Sequence, residues 1–237
     1  LFRIGDKKYI MRIPGEGTDK LIDREQEYKV YDLINKLYIS DNVIYISPKS
    51  GYKITEFIEE ARVCDPFNMG DVKSCMKKLR DFHEMKLKVG HTFDVFEKIE
   101  FYERLWEGKS PIFRDYSTTK KNIFELREII KILPKEWVLT HIDAVPDNFL
   151  FTDDGIRIID WEYAAMQDPH LDIAMFAIYS MYDREQVEAL IDSYFTEGCS
   201  EDIRIKIYCY IAACGLLWSN WCEYKRLLGV EFGEYSL

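Results

Sequence analysis

None of the six cysteines lies in a C-x-x-C pair, which argues against a zinc site or a disulfide framework and suits a reducing, cytoplasmic compartment. His83 and His91 show no ligand spacing either. Positive charge is in deficit: 32 Lys and Arg face 42 Asp and Glu, a formal net charge of −10. A nucleic-acid backbone would be repelled by that balance, whereas a cationic small molecule would not. The longest apolar run, around Cys209 to Trp218, is too short to span a bilayer. No secretory signal, internal repeat or low-complexity segment is visible. What the chain does have is 237 residues, 47% of them hydrophobic, enough to bury one sizeable core.

Strand patterns come first and helical patterns later, an α+β order. Phe2 to Ile4 and Tyr9 to Ile13 read as a hairpin about a polar turn, Gly5 to Lys8. A helix is expected from about Leu21 to Leu37, then strands at Val43 to Ile46 and Tyr52 to Phe57 around Ser47-Pro48-Lys49-Ser50-Gly51. Helical spacing follows at Met69 to Met85, Phe93 to Leu105 and Asn122 to Leu133, the last stopped by Pro134. Leu171 to Tyr182, Glu185 to Phe195 and Glu201 to Leu228 are helical again.

Between these blocks lies the most informative stretch, Leu139 to Tyr163. His141, Asp143 and Asn148 form an H-x-D-x-x-x-x-N pattern. Phe149-Leu150-Phe151 and Ile156 to Ile159 then read as two strands about the turn Thr152-Asp153-Asp154-Gly155, returning Asp160 beside the loop. Phosphoryl transfer from ATP to an alcohol needs that set of groups. The protein must orient the nucleophile and neutralise charge with magnesium, and little else. Asp143 would accept the proton of the substrate hydroxyl. Asn148 and Asp160 would hold the metal, while His141 is expected to bond backbone.

Near the other end, Trp218 and Trp221 sit three apart in a helical run, so one face could present both indoles to one pocket. Such a box suits a quaternary ammonium, whose spread charge is drawn to ring faces and needs no hydrogen-bond acceptor.

The run His141-Ile142-Asp143-Ala144-Val145-Pro146-Asp147-Asn148-Phe149-Leu150, joined to Ile159-Asp160-Trp161-Glu162-Tyr163, resembles the choline/ethanolamine kinase branch of the protein-kinase-like phosphotransferases, which also holds the aminoglycoside phosphotransferases. Asp168 to Asp172 continues the likeness as the anchor of the next helix. The resemblance implies a two-lobed fold: a small antiparallel-sheet N-lobe over residues 1–58 and a mainly helical C-lobe over 59–237. It implies ATP with Mg2+, Glu162 as a further carboxylate near the metal, and an aromatic cage of Trp218, Trp221, Tyr163, Phe232 and Tyr235. Arg12 falls where this family holds the ATP phosphates, with Glu27 as its ion-pair partner and Glu25 as the rival. Glu56, Phe57 and Ile58 would form the hinge that meets adenine. The family's glycine-containing phosphate loop would precede Phe2, so an N-terminally truncated lobe is expected; Gly15 and Gly17 read only as a connecting loop. Choline is the expected acceptor, with ethanolamine, an aminoglycoside or another small alcohol as alternatives, and a non-catalytic binding module as the rival of another class.

Overall fold

The structure is a computed structural model that describes residues 1–15, 17–106 and 113–230. Its N-terminal part is a four-stranded antiparallel sheet in the order β1-β2-β4-β3, made of β1 (Phe2–Ile4), β2 (Lys7–Arg12), β3 (Val43–Ile46) and β4 (Lys53–Glu56). The first turn is tighter than the sequence suggests. Lys7 and Lys8 pair with Ile4 and Arg3, leaving only Gly5 and Asp6 between the strands. Gly5 has φ +60, the left-handed conformation that two-residue hairpins require and glycine adopts without strain. The register of β2 on β4 sets Arg12 opposite Lys53.

Helix α1 (Arg24–Ile34) starts three residues later than expected, because Asp23 takes the N-cap and accepts the amides of Glu25 and Gln26. Leu21 and Ile22 are buried in the segment before it. Glu27, Val30, Tyr31 and Ile34 form its buried face, the i, i+3, i+4, i+7 stripe of a helix packed on one side.

Helix α2 (Met69–Glu84) is capped by Asn68. It is followed by α3 (Val95–Trp106) and α4 (Tyr116–Ile132). The last begins six residues before the expected Asn122, since buried Tyr116 anchors its first turn despite the polar run behind it. Helices α5 (His170–Tyr179), α6 (Arg184–Tyr194) and α7 (Glu201–Leu227) complete the larger part. Helix α5 stops short of Tyr182, where Asp183 and Gln186 form a capping box that opens α6.

Five short strands frame the Leu139 to Tyr163 stretch. β5 (Arg62–Val63), β7 (Phe149–Thr152) and β8 (Gly155–Ile158) make one sheet in the order β5-β7-β8, and β6 (Val138–Thr140) pairs with β9 (Ala165–Gln167). Two hydrophobic clusters meet there. One joins α1, α2 and α6 around Phe149 and Trp161; the other joins α3, α4, α5 and α7 around Ile142. A small antiparallel sheet followed by a larger helical body is the two-lobed α+β architecture implied above. Among the described residues, no helix is long and apolar enough to cross a membrane.

Candidate active site

Strand β6 ends at Thr140 and the chain then turns sharply. Ile142 has φ +72 and Asp160 has φ +63, a region that β-branched residues rarely occupy and aspartate, though it visits it more readily, keeps only where its surroundings hold it. The clamp on the first is Asp172, on α5. Its buried carboxylate accepts the amides of His141 at 2.9 Å and Ile142 at 2.7 Å, and meets His83 Nε2 at 2.9 Å. His141 itself is buried and donates from Nε2 to the Ile159 carbonyl at 2.9 Å. Burial holds its pKa below the ordinary value, so it acts as a neutral strut.

The β7–β8 hairpin pairs Phe149 with Ile158, and the Ile159 amide donates to the Asn148 carbonyl at 2.9 Å. Asp160 therefore arrives next to Asn148. The Asn148 side-chain amide donates to the Asp143 carbonyl at 2.8 Å and to its Oδ2 at 3.3 Å, which turns Oδ1 away from Asp143. Among the described residues, the Asp160 carboxylate makes no hydrogen bond or ion pair. One amide oxygen and one unpaired carboxylate are the hard donors that Mg2+ prefers. No three His, Cys, Asp or Glu side chains among the described residues are grouped to hold a metal by themselves. That fits an ion completed by nucleotide phosphates and water rather than a resident protein cage.

Asp143 is a strongly perturbed carboxyl. Burial, then the neighbouring charges of Asp160 and Glu162, push its pKa up to about 7, near the range that suits a general base.

The basic group expected on β2 is in place. Arg12 donates to both Glu27 oxygens, at 2.5 and 2.8 Å, and to the Gly51 carbonyl at 2.9 Å. Glu25 pairs instead with Lys29 at the surface. A second arginine escaped the sequence reading: Arg24 reaches Glu27 at 2.9 Å and Glu162 at 3.0 Å. Its three-residue spacing from Glu27 on α1 was the available signal. Burial opposes ionisation of Glu27, but the two arginines outweigh it and hold its pKa below the ordinary value. Glu162, expected beside a metal, is here engaged by Arg12 at 3.3 Å as well as by Arg24.

In the hinge segment, the Glu56 amide is taken by the Asn42 carbonyl and the Phe57 amide by the Lys8 carbonyl, both at 3.0 Å. The Glu56 side chain turns to Lys7 and Asn42. Among the described residues no acceptor takes the Ile58 amide.

A cavity of about 250 Å³ joins the acids to the aromatics: Asp143, Asp160, Tyr102, Tyr163, Trp218 and Trp221 all line it. The two indoles do not stand side by side. They stack on each other, with centroids 5.2 Å apart and planes at 27°, and Tyr179 meets Trp218 edge-on at 5.8 Å. Buried Asn220 fixes that part of α7 by accepting from Trp106 Nε1 at 2.9 Å and the Tyr116 hydroxyl at 3.0 Å. Tyr102 of α3 was not foreseen; on an apolar helix face nothing in the sequence separates it from a core residue. Phe232 and Tyr235 lie outside the described residues.

The chain resembles known proteins over most of its length. Residues 2–213 match the family model for choline/ethanolamine kinase. Protein LicA of Haemophilus influenzae is 28% identical over 253 residues, covering 100% of this chain and 92% of the relative. The crystal structure of the choline kinase LicA from Streptococcus pneumoniae superposes with a TM-score of 0.87 at 28% identity, covering 99% of this chain and 83% of that one. A LicA in complex with AMP gives a TM-score of 0.85 at 29% identity, covering 98% and 81%.

Proposed function

The chain belongs to the choline/ethanolamine kinase family and is a small-molecule kinase, and on that premise we propose that it transfers the γ-phosphoryl group of ATP to the hydroxyl of choline. The observation that carries the choice of acceptor is the single cavity shared by Asp143 and the stacked Trp218 and Trp221. A cation with methylated nitrogen rests against indole and phenol faces without needing a matched acceptor. Its hydroxyl then extends toward Asp143.

In this reading Asp143 orients the hydroxyl and accepts its proton. Burial, then the neighbouring Asp160 and Glu162 charges, keep the Asp143 proton affinity high enough for that task. Asn148 and Asp160 would hold Mg2+, which would supply charge neutralisation during transfer. Arg12, steadied by Glu27, faces the phosphates. Glu162 ties the two arginines to the metal segment. The free Ile58 amide, rather than those of Glu56 or Phe57, donates to adenine. Tyr163 adds a phenol wall to the cage. We place the end of the nucleotide lobe near residue 58, with 59–237 carrying catalysis and acceptor binding, and an ATP donor fits a cytoplasmic location.

A coupled ADP-release assay over choline, ethanolamine and kanamycin tests the assignment. Choline should give the highest kcat/KM. A clear preference for ethanolamine, or turnover only of the aminoglycoside, would reassign the acceptor; ATP turnover with none of them would remove choline from consideration.

A further inference from the structure

One turn beyond Glu27 on α1, Tyr31 is 1% exposed, and its hydroxyl lies where three parts of the molecule meet. The oxygen accepts from the Lys53 ammonium of β4 at 2.5 Å and, through a longer contact, from the backbone N–H of Trp161 at 3.4 Å. The ammonium also sits 4.4 Å from the centre of the Tyr31 ring, with Asp41 at 3.9 Å on its other side. Burial first, then the charges of Asp41 and Asp160, raise the Tyr31 pKa well above its ordinary value. The group therefore remains a neutral hydroxyl at any working pH.

What gives the Trp161 contact meaning is the residue before it. Asp160 holds φ +63, and such a conformation persists only where neighbouring bonds over-determine it. On its amino side those bonds are visible: the Ile159 amide is held by the Asn148 carbonyl and the Ile159 carbonyl by His141. On its carboxyl side the Trp161 N–H belongs to the peptide plane that follows Asp160, and Tyr31 is what that N–H meets. The Trp161 ring is locked separately, by its indole bond to the Ile158 carbonyl at 2.6 Å and by edge contacts with Phe82 and His141.

We infer that Tyr31 is a positioning residue: its hydroxyl fixes the 160–161 peptide plane and so aims the Asp160 carboxylate at the metal. Because Glu27 and Tyr31 are four apart and share one helix face, α1 then sets two things at once. Glu27 holds the phosphate arginine and Tyr31 holds the metal aspartate, so a shift of α1 would disturb both together. The inference rests on Asp160 being a metal ligand, as proposed above.

The test compares wild type, Tyr31→Phe and Tyr31→Phe/Lys53→Met as full chains. Mn2+ is titrated in the presence of ADP and its free fraction is read by electron paramagnetic resonance, with Tm and metal-free ADP affinity measured alongside. Loss of one hydrogen bond should weaken Mn2+ binding about 2- to 10-fold in Tyr31→Phe, with metal-free ADP affinity unchanged. That variant also takes the hydroxyl acceptor from the Lys53 ammonium and leaves it to Asp41 at 3.9 Å, so Tm falls; Lys53→Met then separates loss of that ammonium contact from loss of the Trp161 contact. The weakened Mn2+ binding should persist in the double variant. Wild-type Mn2+ affinity in Tyr31→Phe, or affinity that recovers together with Tm in the double variant, would reduce Tyr31 to packing and overturn the inference. Wild type that binds no Mn2+ beside ADP is a different result: it removes Asp160 from metal binding and the positioning role with it.

Discussion

Replacing Asp143 by Asn should abolish turnover and make the protein more stable, two effects with one cause. The carboxyl is half-buried at the cavity wall, and its pKa stands at about 7 against an ordinary 3.8. Such a displacement sets a ceiling of about 4 kcal/mol on the cost of holding the ionised group in the fold. Water in the cavity and the Asn148 amide screen part of it, so about 1–3 kcal/mol is expected. The sign follows from linkage. A carboxyl whose folded pKa is raised imposes no cost below about pH 4, imposes it progressively as pH climbs, and imposes it fully above about pH 7. Asn is nearly isosteric and can still accept from Asn148, so the variant removes the charge and keeps the bond. At pH 8 its Tm should exceed that of wild type by roughly 2–10 °C, and the two should converge near pH 4. Differential scanning calorimetry across that pH range reads the gap directly. In parallel, kcat/KM of wild type should rise with pH through a single ionisation near 7, the free-enzyme pKa of the base. A variant less stable than wild type at pH 8, or one that still turns over choline, would refute the account of Asp143.

Trp218→Ala should raise the choline KM about 5- to 30-fold with little change in kcat, since it removes the ring face offered to the ammonium; steady-state kinetics in choline decides it. Asp160→Asn should lower turnover on the order of 10²-fold or more, with part of the loss recovered at high Mg2+, because the proposed metal donor is weakened while the acceptor cage is untouched. A Mg2+ titration of initial rates would show whether recovery occurs. Asp172→Ala should cost on the order of 3 kcal/mol or more by stranding two buried amides, a Tm loss of about 6–12 °C, and should speed hydrogen exchange at His141 and Ile142.

The expected groups that the structure brings together share a short span of chain. Asp143, Asn148 and Asp160 are linked by one loop and one hairpin, so spacing alone dictates that they converge. Arg12 and Glu27 are legible for a similar reason, since a strand end and the next helix face each other across a short connection. Tyr102 acts through space from an element chosen by packing, and no local pattern marks it; Arg24 shows only its three-residue spacing from Glu27, and Asp172 only the likeness of its segment. Strands β5, β6 and β9 are two or three residues long, too short to show alternation. The early start of α4 depends on Tyr116 reaching Asn220 about a hundred residues away, a contact that local propensity cannot foretell. The two indoles were legible as neighbours on a helix face, but their mutual stacking is decided by the walls around them.

That stacking bears on how a cation is received. With ring centres 5.2 Å apart, no ammonium can slip between the indoles, which would require a gap of roughly 8–12 Å. A ligand must settle on the outer face of the pair or pry it open. The paired chromophores provide an optical gauge for that choice, because closely coupled indoles give a split circular-dichroism band near their absorption maximum. A band that survives saturation marks the pair as a fixed anvil; a band that collapses marks it as a hinged jaw.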